Sequence, residues 1–190
     1  MNEFFIFVSE LARMSRKLTL GEIELAREIF KDSIKYQKVK VHHGKYFFGQ
    51  PAGSGMTPNG EIYVADDARH NNFLYKKDYS IQSVGLKAFF IHEMAHVWQY
   101  QNKILRVKTA AVLGQIRHFG RYGKMYKYTL DADKKLIDYG IEQQAAIIED
   151  YYIVVKEEMS EFCGGRIQNQ CAFAEKRELL EKMMADFPKV

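Results

Sequence analysis

Hydrophobic and polar residues follow each other along this chain in patterns that predict a mainly helical protein. Thr19 and Glu22 stand three residues apart, as the capping box at a helix start requires. The apolar residues that follow recur at helical spacing, at Ile23, Ala26, Ile29 and Phe30. A first helix is therefore predicted to begin after Thr19.

A small sheet is predicted next. Between residues 36 and 42, valine and lysine alternate, which is typical of a half-buried strand. Residues 44–60 are rich in glycine and proline and are predicted to form a loop that ends in a turn. A second strand is expected over residues 61–65.

The rest of the chain carries longer apolar patterns, each predicted to form a helix: residues 83–102, 105–119, 141–152 and 172–185. The first of these is apolar around almost its whole circumference, which indicates a buried helix. The predicted fold class is α+β, a single mainly helical domain with a small sheet before this buried helix. Residues 1–17 are predicted to form an N-terminal arm or helix, and residues 18–190 the domain.

Composition supports one folded domain and limits the kinds of partner it is expected to bind. The 190 residues are 47% hydrophobic and 14% aromatic, enough for one core. The net charge is +4 and the lysines are scattered, so no nucleic-acid partner is predicted. The apolar run at residues 4–8 is too short for a membrane span and lacks the features of a signal peptide. Cys163 and Cys171 could pair only in an oxidising compartment, and two reduced or buried cysteines fit equally well.

The buried helix contains the strongest chemical signal, His92-Glu93-x-x-His96. Residues four apart share a helix face, so both imidazoles can bind one ion while Glu93 lies beside them. Chance alone gives roughly 0.015 occurrences of this motif for such a composition. The alternative is a pair of core histidines bonded to backbone carbonyls. We predict a zinc site with His92 and His96 as ligands and Glu93 as the catalytic base.

A third zinc ligand has to come from another part of the chain. Glu142 and Glu149 are seven residues apart, so they share a face of one predicted helix, with Ala145 and Ala146 between them. Small side chains would let this helix approach the histidines. Glu142 is favoured because it has no acidic neighbour. The other carboxylate, or Asp150, would then hydrogen-bond a ligand histidine.

Other polar residues are weaker candidates. His42 and His43 are adjacent on a predicted strand, so at most one could reach any site, and both are interpreted as surface histidines, as is His70. An oxyanion also needs a hydrogen-bond donor. By chain position alone, the candidates are Tyr122, Tyr126, Tyr128 and His118.

Four segments together resemble a known family: residues 18–22, 56–63, 90–99 and 139–145. They are similar to the Vgr-related, or Rhs-element, zincin domains associated with bacterial type VI secretion, over roughly residues 18–152. The His-Glu-x-x-His core is common to all zincins. The match becomes more specific through Trp98-Gln99 and Glu142-Gln143-Gln144.

The resemblance implies a zinc-dependent metallopeptidase of the gluzincin type, with His92, His96 and Glu142 as ligands and Glu93 as base. It also implies an effector made in the bacterial cytoplasm and delivered to the envelope of a target cell, with a spike protein and an immunity protein as partners. These 190 residues contain no spike segment of the kind that spike-borne members have, so delivery is expected to need a partner. Two alternatives are a non-catalytic zinc-stabilised module that docks on a spike or cargo, and a zinc amidase acting on cell-wall peptides.

Overall fold

The computed structural model describes residues 14–67, 74–104, 126–159, 166–169 and 172–188. Within these ranges, four short strands form one mixed sheet: β1 (Ser15–Lys17), β2 (Lys40–His43), β3 (Ser54–Met56) and β4 (Ile62–Ala65). Their order across the sheet is β1-β2-β4-β3. Strands β2 and β4 are parallel, whereas both outer strands pair antiparallel to their neighbours.

The described residues also form four α-helices: α1 (Leu20–Phe30), α2 (Val84–Gln101), α3 (Ile141–Tyr151) and α4 (Phe173–Met184). Helix α3 continues into a π-helical turn at Tyr152–Lys156. The predicted α+β class is confirmed. The three predicted helices that these residues cover are confirmed to within a residue or two at each end, as is the first helix.

The first helix begins as its sequence predicts. The Thr19 hydroxyl accepts a hydrogen bond from the Glu22 amide at 3.1 Å, and the Glu22 carboxylate accepts one from the Thr19 amide at 2.9 Å. Glu22 is completely buried, and Arg16 donates to both of its carboxylate oxygens at 2.8 Å. Since Arg16 lies on β1, this ion pair joins the sheet to α1.

The first predicted strand is partly wrong. Residues Tyr36–Lys38 form a 3-10 turn, and the strand begins only at Lys40. The turn is fixed by the Tyr36 hydroxyl, which donates to the Lys31 carbonyl at 2.7 Å while the ring is buried. The alternation itself is confirmed, because Val39 and Val41 are fully buried.

Strand β3 lies inside the segment that the sequence pattern predicts to be a loop. Its three residues include Gly55, and three residues are too few to show an alternating pattern. Gly53 precedes it with a φ of 75°, a conformation that glycine adopts readily. The strand then forms the outer edge of the sheet, against β4.

Helix α2 lies at the centre of the core. Ile91, Met94, Ala95 and Val97 are completely buried, which confirms that this helix is covered on most sides. Its packing against α3 is the most extensive contact between two described elements. Ala145 and Ala146 of α3 are also completely buried. The two helices that carry the candidate site residues are therefore packed directly against each other.

Several predictions concern residues outside the described ranges and stay predictions. They are the helix at 105–119, residues 1–13 of the N-terminal arm, and the side chains of His70, His118, Tyr122, Cys163 and Cys171. Residues 15–17 of the predicted arm form β1. None of the helices within the described ranges has both the length and the apolar character needed to cross a bilayer.

Candidate metal centre

Helices α2 and α3 bring two histidines and a glutamate together. Glu142 Oε2 lies 3.4 Å from His96 Nε2 and 3.7 Å from His92 Nε2. One donor atom from each of the three residues lies within 4.8 Å of the other two. The two histidines stand one helical turn apart on α2, and Glu142 lies in the first turn of α3.

The start of α3 fixes the position of Glu142. Gln143 accepts a hydrogen bond from the Gly140 amide at 3.0 Å and donates one to the Lys127 carbonyl at 2.8 Å. These bonds hold the first helical turn against the preceding chain. Glu142 is therefore presented by a turn that two hydrogen bonds tie to the preceding chain.

Solvent reaches the cluster only in part. The exposed fractions of the side chains are 10% for His92, 12% for His96 and 15% for Glu142. A fully enclosed cluster would have side chains with no exposed surface. The three side chains are therefore mostly buried, and each keeps a small solvent-exposed surface.

A charged network supports His92. Its Nδ1 lies 2.9 Å from Glu149 Oε2, and the same oxygen accepts a hydrogen bond from Arg166 at 2.5 Å. Arg166 also donates to Asp150 Oδ1 at 2.6 Å, and the Tyr128 hydroxyl donates to Asp150 Oδ2 at 2.6 Å. His92 is thus the end of a chain of contacts that runs through two carboxylates and one guanidinium.

A neutral network supports His96. Its Nδ1 lies 2.8 Å from Gln99 Oε1. The Gln99 amide nitrogen donates to the Ile141 carbonyl at 2.9 Å and to Gln144 Oε1 at 3.0 Å, and Gln144 donates in turn to the Tyr139 carbonyl at 2.8 Å. Since the nitrogen of Gln99 already faces two acceptors, its oxygen is the atom that faces His96.

These networks determine which imidazole nitrogen is available to an ion. Each Nδ1 faces an oxygen acceptor, so in the neutral ring the proton is on Nδ1 and the lone pair is on Nε2. Both Nε2 atoms face Glu142 Oε2. Two imidazole nitrogens and one carboxylate oxygen form a donor set that suits zinc and leaves a further position for water. The residues present therefore fit this ion.

The pKa values show how strongly the carboxylates act on this cluster. Burial by itself would lower the pKa of His92, but hydrogen bonds to Glu142 and Glu149 outweigh it and raise that pKa to about 10. Burial opposes ionisation of Glu142 as well, yet the charge of His96 and hydrogen bonds to both histidines hold its pKa well below the ordinary value. The metal-free cluster therefore binds a proton where a cation could bind instead.

Glu93 lies beside the cluster and outside its set of converging donor atoms. The Thr57 hydroxyl donates to Glu93 Oε2 at 2.7 Å, and Glu93 is 5% exposed. Strand β3 passes directly over it, because a Cβ atom on Gly55 would stand 2.5 Å from Glu93 Oε1. Glycine at this position provides the space that the carboxylate occupies.

The two histidines of the sheet lie outside the cluster. His42 pairs with Glu61 at 2.7 Å and stacks on Tyr63, and His43 lies 3.2 Å from Asp66, so both belong to the sheet surface. Neither takes part in the cluster of metal-binding donors found among the described residues.

The oxyanion candidates separate by the position of their hydroxyl groups and rings. The Tyr128 hydroxyl donates to buried Asp150, so it is not directed at the cluster. The Tyr126 ring centroid lies 5.7 Å from that of His92. Tyr126 is therefore the described candidate beside the histidines.

Comparison with known proteins gives one match in sequence and one in structure. The chain is 38% identical over 146 residues to the type VI secretion system spike protein VgrG2b of Pseudomonas aeruginosa. That match covers 77% of this chain and 14% of the spike protein, so the chain spans a small part of its relative. No protein-family model matches the sequence.

The structural match is to the effector domain of VgrG2b, with a TM-score of 0.64 and 29% sequence identity. It covers 95% of this chain and 90% of that domain. The sequence match therefore relates this chain to VgrG2b, and the structural match relates it to the effector domain of that protein. The structural similarity covers most of the chain.

Sequence reasoning missed three residues that contact the site: Thr57, Gln99 and Arg166. Thr57 and Gln99 stand within the segments that carry the family resemblance. Nothing in the spacing of Thr57 indicates its contact with Glu93, but Gln99 follows His96 by three residues on one helix, a spacing that brings two side chains together. Arg166 is 17 residues beyond Glu149 and has no pattern around it. Only the folded chain shows that Thr57 and Arg166 reach the site.

Proposed function

We propose that this protein is a zinc-dependent metallopeptidase. The observation that carries the proposal is the meeting of His92, His96 and Glu142 at one point, with Glu93 beside them and outside the donor set. A zinc ion held by the three residues would act as a Lewis acid and lower the pKa of water towards about 7.

The protein's own residues then perform the proton transfers. As the water oxygen bonds to the carbonyl carbon of a peptide, the Glu93 carboxylate accepts the water proton. When the C–N bond breaks, Glu93 returns this proton to the departing amine. Thr57 holds one carboxylate oxygen, Oε2, so that the orientation of Glu93 is fixed before the substrate arrives.

Two features favour an enzyme over a module in which zinc serves folding alone. A structural zinc site usually has four protein ligands, whereas three donor residues converge here among the described residues. A buried carboxylate next to the ion also has an evident use in hydrolysis and none in a structural site. The partial exposure of the three donor side chains agrees with access by a substrate.

We further infer that the enzyme acts as an effector of type VI secretion. The support is its similarity to the effector domain of the spike protein VgrG2b over 95% of its length. Its partners would then be a secretion spike, a peptide or protein substrate in the envelope of a target cell, and an immunity protein in the producing cell.

The test is hydrolysis by the zinc-loaded protein and its Glu93→Gln variant. We expect cleavage of a peptide library by the parent, a loss of at least about 100-fold in kcat for the variant, and unchanged zinc stoichiometry. Glu181→Gln, which changes an exposed glutamate on α4, is the matched control and should keep full activity. Cleavage of cell-wall peptides in place of ordinary peptides would favour the amidase.

Toxicity provides a separate test of the effector proposal. Directed to the periplasm of a susceptible bacterium, the parent should slow growth and the Glu93→Ala variant should not. Equal toxicity of the two proteins would show that any toxic effect does not depend on hydrolysis. Absence of cleavage together with tight zinc binding would favour the structural module.

A further inference from the structure

The Oε2 atom of Glu149 has two partners at once. His92 Nδ1 lies 2.9 Å away, and Arg166 donates to the same atom at 2.5 Å. The position of this one oxygen therefore depends on Arg166 as much as on His92. Any change that releases the arginine also changes the acceptor of the histidine.

Arg166 resolves a charge problem on α3. Glu149 and Asp150 are adjacent, and their side chains are 14% and 0% exposed. Two neighbouring buried carboxylates are unfavourable unless a cation binds both. The guanidinium meets this need because its separate nitrogens donate to the two residues at 2.5 and 2.6 Å.

The chain holds Arg166 in place from both sides. The Tyr128 amide donates to the Arg166 carbonyl at 3.0 Å, and the Gln168 amide donates to the Tyr128 carbonyl at 2.8 Å. Asn169 exchanges two side-chain hydrogen bonds with the backbone of Leu130, at 2.7 and 2.9 Å. Since the Tyr128 hydroxyl also donates to Asp150, Tyr128 is linked to the arginine twice, directly through the backbone and through Asp150 to the side chain.

We propose that Arg166 is a positioning residue of the metal centre, which sets zinc affinity by holding Glu149 against His92. This inference rests on the proposed zinc site and deepens it. Arg166 is not among the three residues whose donor atoms converge at the centre. It acts through Glu149, whose carboxylate keeps the His92 proton on Nδ1 and so leaves Nε2 for the ion.

The experiment measures the zinc dissociation constant by competition with a chromogenic chelator, on folded protein at low temperature. Loss of a partner of this kind typically weakens metal binding by about 10- to 100-fold, and we expect this loss for Arg166→Met. Arg177→Met is the matched control, because Arg177 pairs with exposed Glu181 on α4. It should change the constant by less than about 2-fold.

A conservative variant guards against misfolding. Lysine at position 166 keeps the charge but cannot bind both carboxylates with a planar fork, so Arg166→Lys should show a smaller loss, under about 10-fold. A loss for Arg166→Met no larger than that of the Arg177 control would overturn the proposal. So would a lysine variant that binds zinc as weakly as the methionine variant.

A double-mutant cycle separates positioning from general support of the fold. If Arg166 acts through Glu149, the Arg166→Met change should cost under about 3-fold in a Glu149→Gln background. An undiminished loss in that background contradicts the proposal, because the arginine would then act by another route. If the parent fails to bind zinc while its fold is intact, the proposed zinc site fails. If the parent binds zinc but the Arg166 variants do not behave as expected, the role of Arg166 is wrong and the proposed zinc site still stands.

Discussion

The two histidines of the centre are held in different ways. His92 faces a carboxylate that is itself bound by a buried arginine, whereas His96 faces a side-chain amide whose nitrogen is bonded to two carbonyl oxygens. The first support depends on balanced charges and on the segment at residues 166–169. The second depends on hydrogen-bond direction and lies entirely between α2 and α3.

The comparison teaches that one metal site can be oriented by two kinds of support. Both place an acceptor on Nδ1 and leave Nε2 facing Glu142. The charged support should respond to any change in charge near α3. The support of His96 is uncharged, so it should weaken only when the hydrogen bonds of Gln99 are lost. The predictions that follow separate these responses, from the largest expected effect to the smallest.

The largest loss of zinc affinity is expected at Glu142, which faces both histidines. Glu142 lies within 4 Å of both Nε2 atoms, so Glu142→Ala removes the carboxylate that we propose as the third ligand. Zinc affinity should fall by more than the roughly 100-fold limit for outer partners. The measurement is chelator competition, with Glu149→Ala beside it. Loss of zinc in the Glu149 variant alone would make Glu149 the third ligand.

Breaking the amide support should come next. Gln99→Leu removes the acceptor of His96 and leaves the Ile141 carbonyl and Gln144 Oε1 without this donor. We expect zinc affinity to fall by about 10- to 100-fold. The metal-free protein should lose about 1–3 kcal/mol in free energy of unfolding, measured with urea. A variant of unchanged stability would show that Gln99 does not join the two helices.

Weakening the charged support should cost less. Glu149→Gln keeps an oxygen for His92 Nδ1 but removes the charge that Arg166 binds. A fall in zinc affinity near 10-fold is expected, at the lower end of the range for such partners. If this variant binds zinc more weakly than Gln99→Leu does, the order of the two supports is reversed.

Acid should affect zinc binding through His92. Its pKa lies at about 10 in the metal-free fold, against 6.5 for an ordinary histidine. Zinc has to displace this proton, so affinity should weaken by about 10-fold for each pH unit below the folded pKa. Calorimetry in buffers of different ionisation enthalpy should detect a released proton. Release of none at pH 7 would contradict the raised pKa.

The same shift has a consequence for the stability of the metal-free protein. A raised pKa means that the folded state binds the proton more tightly, so the stabilisation is complete below pH 6.5 and is lost as pH rises through about 10. Glu142 acts in the opposite direction, because its pKa is lowered, and its contribution is lost in acid below the ordinary value of 4.5. Urea unfolding of the apoprotein should therefore show the largest contribution of this cluster to the free energy of unfolding between about pH 4.5 and 6.5.

The smallest effect is expected at the sheet. His42 pairs with Glu61 and stacks on Tyr63, away from both supports. His42→Ala should leave zinc stoichiometry unchanged and alter zinc affinity by less than about 2-fold, as for other substitutions outside a metal site. A lost zinc ion would mean that this histidine contributes to binding in solution.

Much of the fold follows from sequence because periodic patterns are local. The capping box at Thr19 and the apolar helix around His92 specify their own structure, and both are found as predicted. Strand β3 could not be predicted in this way. The strand is short and contains a glycine, and it is held in place by pairing with β4, which follows it in the chain.

The site divides in the same manner. The His92 and His96 pair is a local pattern, and the meeting with Glu142 could be inferred because only a few carboxylates lie on apolar helices. The contacts of Arg166 and Thr57 depend on tertiary packing across 17 and 36 residues of chain. No spacing rule relates a threonine on a loop to a glutamate on a distant helix.

The packing of α2 against α3 has a consequence for how this protein behaves when zinc is scarce. An ion bound by His96 and Glu142 would cross-link α2 and α3 through two residues that are 46 positions apart in the chain. By mass action, such a bridge adds RT ln(1 + c/Kd) to the stability of the native state, where c is the free zinc concentration, so its contribution vanishes when free zinc falls well below the dissociation constant. The melting temperature of the protein would then report on the zinc supply of its surroundings.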